Sequence, residues 1–435
     1  MKRFLMVLLF LILAMGLFAN GAQDDSPLVL GIDKGDFEIN YDENYIDQGE
    51  NCGIYFWRDI VLKDYPEEVI LREYSTDNTT IKMDIDLAGG DPPDVYWDYI
   101  GRVNKYANSR LAVPIELGDE AEEFIPSYLD LLTKDGVLYG LPHTAWAAVM
   151  AVNKPLLESA GGGYLLPADD DPDRSWTIDE FLEATRLVQE KYGEGYYGYV
   201  LFAAGVSGDY WSSFGWLAGF GAKLYENGKI VIDSPEGRAA LTFMKKMQDD
   251  GIAMPGAAGL TYAENLAAMK NNNVVAMGGT PSHGERLISL TDGSGSIQAV
   301  IMEYPHMPGV EKVPISVGPD AGMLFKTGNP IREARALKLL KYITSKRVQA
   351  YSAIVRARYS SLKGVPEVGS ESLAWTIANG MIEQNGIFDM GTGLDKYNEV
   401  RELWPPMLQA IFSEELTVDE ALDRFVTEGN KVLAE

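Results

Sequence analysis

Residues 69–97 read VILREYSTDNTTIKMDIDLAGGDPPDVYW. Val69 to Tyr74 is a short apolar and aromatic run of the kind that favours a strand. Thr79 to Ala88 reads as a short helix, and Gly89-Gly90-Asp91-Pro92-Pro93 stops it, because adjacent glycines and prolines cannot carry a helical ladder onward. Asp94-Val95-Tyr96-Trp97 leaves that turn as a second strand. Strand, helix and strand in this order predict a mainly parallel α/β sheet.

The same alternation extends outward. Leu28 to Ile32 is a compact apolar run, followed by an acidic, aromatic segment without a clear assignment. Several helices announce their starts. Thr177 can cap free amides while Glu180 returns a bond to the cap, ahead of Phe181, Ala184 and Val188 on one face. Ser234-Pro235 places a cap before a proline at the first helical position, and Ala240, Met244 and Met247 continue the stripe. Asn329-Pro330 repeats the device before Ala334, Leu337 and Tyr342. Thr417 with Glu420 makes a second capping box, leading to Leu422, Phe425 and Val426. Met277-Gly278-Gly279-Thr280-Pro281 and Val317-Gly318-Pro319-Asp320-Ala321-Gly322 read as glycine-rich breaks, either simple chain reversals or backbone free to face a ligand.

The start of the chain reads as an address. Lys2 and Arg3 precede a nearly unbroken apolar run from Phe4 to Phe18, with Ala19, Gly21 and Ala22 behind it. Such a run covers about 22 Å of helix, which suits a signal segment better than a membrane span. Residues 1–22 are therefore expected to be a signal peptide, cleaved near 19 or 22. The 435 residues carry 64 acidic against 37 basic side chains, a formal net charge of -27. A nucleic-acid surface needs condensed positive charge, so that class of partner is not expected. Cys52 is the one cysteine. It permits no internal disulfide and no multi-thiolate metal site, and no cysteine stands at the end of the export segment to carry a lipid.

Motifs for catalysis are thin. There is no His-Glu-x-x-His, no phosphate loop ending in Gly-Lys-Ser/Thr, and no dinucleotide fingerprint after an early strand. Gly205-Val206-Ser207-Gly208 lacks the spacing of a nucleophile elbow. The histidines are His143, His283 and His306, without ligand spacing around them, so neither a metal nor a cofactor is expected. Abundant carboxylates leave a glycosidase conceivable without pointing to one.

Leu138-Tyr139-Gly140-Leu141-Pro142, followed by Val152-Asn153-Lys154-Pro155-Leu156-Leu157 and Ala160-Gly161, closely resembles the signature of bacterial extracellular solute-binding proteins of family 1. Gly90-Asp91-Pro92-Pro93-Asp94-Val95, Trp176-Thr177-Ile178-Asp179-Glu180-Phe181 and Asp233-Ser234-Pro235-Glu236-Gly237 fit that family in order, as does Ala334 to Ser345. The resemblance implies a two-lobed α/β periplasmic binding protein fold of the class II type, with interleaved lobes and a multi-strand hinge. It places one lobe over 23–145 plus 315–357 and the other over 146–314 plus 358–435. It also implies a monomeric receptor, free in the periplasm, that delivers a solute to the permease subunits of an inner-membrane ABC transporter. Most members take carbohydrates. Two departures weaken transfer of any particular pocket: Gly31-Ile32-Asp33-Lys34-Gly35-Asp36-Phe37 replaces the usual aromatic residues beyond the first strand, and Val152 replaces the usual tyrosine before the signature asparagine.

A sugar presents flat C–H faces and many hydroxyls, so its receptor needs aromatic platforms beside polar groups. Trp97 and Asp98 stand at a strand end, a suitable rim position. His143, Thr144 and Trp146 follow the Gly-Leu-Pro turn near the first crossover that the resemblance implies. Trp211 and Trp216 are five residues apart, off a shared helical face, so one can stack on ligand while the other packs inside. Thr280, Ser282 and His283 follow the Gly278-Gly279 break. Asp320 lies in the other glycine-flanked segment, and Arg358 near the last crossover. Each has ordinary packing or solvation as its alternative. The expected function is capture of a sugar or oligosaccharide without bond cleavage. A peptide, polyamine, glycerophosphate or other non-sugar solute is the competing ligand, and a secreted carbohydrate-active enzyme the competing class.

Overall fold

The computed structural model describes residues 25–33, 56–74, 79–107, 109, 111–168, 171, 173–279, 299–356, 358–365, 373–394 and 396–435. The expected signal segment, Lys34 to Phe37, Cys52, Thr280, Ser282 and His283 lie outside these residues.

The strands are β1 (Leu28–Asp33), β2 (Val69–Tyr74), β3 (Val95–Tyr99), β4 (Thr133–Lys134), β5 (Val137–Leu138), β6 (Gly140–Asn153), β7 (Tyr225–Glu226), β8 (Lys229–Ile230), β9 (Ala276–Gly279), β10 (Ala299–Met302), β11 (Ser316–Leu324) and β12 (Tyr359–Ser360). An eight-stranded sheet runs β10-β6-β11-β3-β1-β2, with β9 and β12 also paired to β6. The expectation of a mainly parallel sheet holds at β2-β1-β3 and fails beyond it: β11 pairs antiparallel with β3 and with β6, as do β9, β10 and β12 with β6. The reason is connectivity. The strands joined by the helix Thr79–Ala88 return in the same direction, whereas later crossings come back against them.

β6 is the spine. Its 14 residues, GLPHTAWAAVMAVN, are all buried, as expected of a strand covered on both faces. Its first half pairs with β11 from Gly140 to Ala148, and its second half pairs with β9 and β10 from Val149 to Asn153. One continuous strand is therefore shared by two sets of partner strands. β11 accompanies it through Ser316–Pro319, and β12 through Thr144–Ala145. Asn153 at its end caps the helix Lys154–Ser159, accepting from the Leu156 amide at 3.2 Å, with Pro155 in the first turn. The Asn-Lys-Pro of the sequence is thus a strand end and a helix start.

The predicted caps at Thr177, Ser234, Asn329 and Thr417 are all present, and Thr261 with Glu264 adds a capping box for the helix Tyr262–Lys270. On the helix Pro330–Ile343, the buried stripe is Ala336, Leu339, Leu340 and Ile343 rather than Ala334, Leu337 and Tyr342. Asp94 ties this helix to the turn before β3. It accepts from the Val29 amide at 2.8 Å and from Arg332 Nε and Nη2 at 2.5 and 2.6 Å.

Of the two glycine-rich segments read as breaks, Val317 to Gly322 is strand throughout, and Met277 to Gly279 is strand while Thr280 and Pro281 lie outside the described residues. Gly278 lies in β9, where a Cβ would fall 2.2 Å from the Trp211 carbonyl and 2.3 Å from the Tyr199 and Tyr304 hydroxyls. Gly318 and Gly322 lie in β11, whose register shifts between Pro319 and Ala321. Here glycine marks close approach, and proline sits where the ladder is already irregular.

Candidate ligand-binding cleft

Trp146 leaves β6 at the point where the two halves of the sheet meet. Its indole lies over Gly318, the partner residue on β11. Opposite it stand Tyr210 and Trp211, with ring centroids 4.4 and 4.7 Å away. These two come from a π-helical turn, Asp209–Ser213, that runs directly into the helix Phe214–Gly219. Such wide turns are frequent at functional sites because they re-aim side chains. Ser213 holds this one in place: its hydroxyl donates to the Gly208 carbonyl at 2.9 Å and accepts from Trp404 Nε1 at 3.0 Å. Ser212 accepts from the Phe202 amide at 3.0 Å.

The aromatic surface continues in both directions. Trp211 meets Tyr262, at the first turn of its helix, at 5.9 Å. Trp146 meets Tyr99, the last residue of β3, at 5.8 Å. Tyr99 also meets Tyr210 at 6.0 Å, and its hydroxyl lies 2.9 Å from that of Tyr397 on the helix Tyr397–Arg401. The rings are therefore drawn from residues far apart in sequence and converge around Trp146 on β6.

Two buried ion pairs flank the rings. Arg401 bonds Asp209 through Nε and, at 3.2 Å, through Nη2, and its guanidinium lies 4.8 Å from the Tyr210 ring centroid and 5.5 Å from that of Tyr99. Burial pushes the Asp209 carboxyl up, and Arg401 pulls against that shift. Burial would lower Arg401, yet Asp209 and the Tyr210 and Tyr397 hydroxyls hold it well above its ordinary value, so it stays cationic. Asp98 is paired with Arg102 at 3.0 Å and accepts from the Tyr96 hydroxyl at 2.5 Å and the Tyr99 amide at 2.6 Å. Burial raises the Tyr99 and Tyr210 hydroxyls, which keeps both neutral.

The residues singled out from sequence divide accordingly. Trp146 and Trp211 come together. Asp98 lies beside Tyr99, and Asp320 is the register partner of Tyr99 on β11. Trp97 packs elsewhere, at 4.9 Å from Trp57 and 5.8 Å from His143, within the core that holds Leu30, Val95 and Leu340. His143 is fully buried there, with Nδ1 3.2 Å from the Thr144 hydroxyl. Trp216 is fully buried among Phe181, Tyr199 and Tyr304, at 5.0, 5.3 and 5.8 Å. Arg358 is half-buried just before β12.

The family described as bacterial extracellular solute-binding protein matches residues 63–379. The chain belongs to that family. An arabinooligosaccharide-binding protein from Halalkalibacterium halodurans is 27% identical over 149 residues, 33% of this chain and 30% of that protein. The chain spans less than half the length of the curated relatives it matches. Among solved structures, an ABC transporter solute-binding protein from Thermotoga lettingae bound to α-D-tagatose superposes with a TM-score of 0.76 at 21% identity, covering 94% of this chain and all of that one. The GacH receptor of Streptomyces glaucescens, solved unliganded and with acarbose, gives 0.75 at 17% identity, covering 94% and 99%. The two-lobed α/β fold of these binding proteins is the fold of this solute-binding protein.

Tyr99, Tyr210, Tyr262, Tyr397, Asp209 and Arg401 were not reached from sequence. Tyr210 and Asp209 adjoin Trp211, so the Asp-Tyr-Trp run was a signal available to sequence reading. Nothing local marks Tyr397 or Arg401, which join the site only through the packing of distant segments.

Proposed function

We propose that this solute-binding protein is a periplasmic receptor that captures a sugar or oligosaccharide between its lobes and delivers it to an ABC importer. The observation that carries this reading is the convergence of Trp146, Tyr210 and Trp211 at the crossing strand, with ring centroids 4.4 to 4.9 Å apart. Contiguous aromatic faces suit the C–H faces of a pyranose or furanose, and the tyrosine hydroxyls beside them suit its hydroxyl groups. The arabinooligosaccharide-binding relative and the tagatose and acarbose complexes of proteins with this fold support the same ligand class.

The lobes proposed are 23–145 plus 315–357 and 146–314 plus 358–435, joined where β6, β11 and β12 run together at Thr144–Ala148. Several strands crossing one seam resist twisting and permit bending, so ligand contacts on both sides shift the balance toward closure. Trp146, Trp211, Asp98 and Asp320 are the ligand-facing residues carried forward from sequence, joined by Tyr99, Tyr210 and Tyr262. The apolar run Phe4 to Phe18 serves export, and the exported receptor works without a lipid anchor and as a monomer, with the permease subunits as its protein partner. Binding, not bond cleavage, is the proposed activity.

The test is a thermal-stabilisation screen, since a ligand that binds only the folded protein raises its apparent stability. Arabino- and malto-oligosaccharides, tagatose, amino acids, polyamines and glycerophosphates form the panel. Stabilisation by a sugar, lost in Trp211→Ala, is the expected result. Stabilisation by a non-sugar alone overturns the ligand class, and chemical conversion of the sugar overturns the non-catalytic reading.

A further inference from the structure

The short helix Tyr397–Arg401 makes contacts out of proportion to its length. Its first residue, Tyr397, lies flat against Gly101, where a Cβ would fall 2.4 Å from Tyr397 Cε1, and its hydroxyl reaches that of Tyr99 at 2.9 Å. Asn398 donates to the Gly101 carbonyl. One helical turn on, the Asn104 amide donates to the Thr392 carbonyl at 3.2 Å, just ahead of the same helix. Arg401 completes the set from the last position, set over Tyr99 and Tyr210 while gripping Asp209.

These contacts join two bodies. Tyr99, Gly101 and Asn104 belong to β3 and the helix Ile100–Ala107, on the first-lobe side. The helix Tyr397–Arg401 packs with the helices Trp404–Phe412 and Val418–Ala434 of the second. The chemistry is suited to a joint that opens and closes. It consists of hydroxyl, amide and ring contacts over a glycine backbone, which part at less cost than a buried ion pair would. The Asp209–Arg401 pair stays within the second lobe and keeps the guanidinium face presented to Tyr99.

We propose that Tyr397 and Arg401 are positioning residues that clasp the first lobe at Tyr99 and Gly101, fixing lobe closure through those residues and through Tyr210 rather than by contact with the ligand. The inference rests on the two-lobed receptor reading and assigns to a single helix the closing contacts of that receptor. Tyr397 sets the approach distance, because its ring, with that of Tyr99, fills the space a side chain at position 101 would occupy. Arg401 sets the orientation of Tyr210 on its own side and Tyr99 on the other.

The experiment measures interlobe distance. In full-length protein carrying Cys52→Ser, dyes are attached at Ile85→Cys and Tyr164→Cys, both exposed positions, one on each lobe. Distance distributions are recorded with and without maltose, tagatose and arabinotriose. Tyr397→Phe deletes one hydroxyl and keeps the ring; Arg401→Lys keeps a cation for Asp209 and loses the planar fork. Loss of one such bond is expected to lower the closed-to-open ratio by about threefold to tenfold. Tyr397→Phe is expected to do so with an unchanged melting temperature, which separates positioning from folding. Wild-type distance distributions in both variants, with or without a fall in melting temperature, overturn the clasp. If wild-type protein binds none of the sugars, the sugar reading fails, and the sugar-free distributions decide the clasp on their own.

Discussion

The indole of Trp146 occupies the space that a side chain at position 318 would need: a Cβ on Gly318 would stand 2.1 Å from Trp146 Cζ2 and 2.4 Å from Cε2. β6 and β11 can therefore run as hydrogen-bonded neighbours while a tryptophan lies across their seam only because one of the pair is glycine. This clearance also aims the indole at Tyr210 and Trp211.

Gly318→Ala should displace Trp146. Overpacking of this kind costs about 1–3 kcal/mol, read from denaturant unfolding. Because the strain belongs to one contact, Trp146→Ala should relieve it, giving a double variant less destabilised than the two single effects added together. Additive losses would show that the methyl group strains the backbone instead.

Trp211 and Trp216 should separate stability from binding. Trp216 is enclosed by Phe181, Tyr199 and Tyr304, and Trp216→Ala should cost about 3–5 kcal/mol in unfolding free energy with little change in ligand affinity of the folded protein. Trp211→Ala should abolish most of the sugar-induced rise in melting temperature. Equal loss of binding in both variants would place the ligand away from the Trp146–Trp211 pair.

Acid should weaken the molecule through its helix caps. The Thr261 hydroxyl holds the Glu264 carboxyl below its ordinary value of 4.5, and the Thr417 amide, followed by its hydroxyl, does the same for Glu420. A carboxyl whose folded pKa is depressed contributes stability that is complete above the unfolded value and lost as pH falls through the folded one. Thr261→Val with Thr417→Val should move the acid-unfolding midpoint to higher pH, followed by circular dichroism. An unmoved midpoint would assign acid unfolding to other carboxylates.

Alkali should act through the tyrosines. Burial, reinforced by Glu67, pushes Tyr65 up to about 12, and burial raises Tyr99, Tyr210 and Tyr397 as well. Folded values above 10 mean that this stability is complete below pH 10 and is lost as pH rises through the folded values. Tyrosinate absorbance at these positions should therefore appear together with loss of near-ultraviolet circular dichroism. Ionisation of Tyr99, Tyr210 and Tyr397 in a protein still folded would contradict the enclosed ring cluster.

Much of the scaffold was legible because its signals are local. Val69–Tyr74 and Thr79–Ala88 fall where propensity and the Gly-Gly-Asp-Pro-Pro stop place them, and Thr177, Ser234, Asn329 and Thr417 start helices by bonds within three residues. The glycines of β9 and β11 misled for a physical reason. A glycine required for a turn and one required for clearance under Trp146 or beside Tyr199 are identical in sequence, and only the neighbour across the gap distinguishes them. Trp97 misled similarly: a strand end looked like a rim, yet Trp57, from a separate segment, covers it.

The amino-acid sequence by itself determined the alternation of strands and helices, the caps and stops that bound them, and the family signature around Gly140 and Asn153, because each depends on residues a few positions apart. Tertiary structure alone decided which aromatic residues form the candidate cleft. Trp146, Tyr99 and Tyr210 are brought together by packing between distant segments, and a side chain's partner across a seam is set by where the backbone carries it, not by its sequence neighbours.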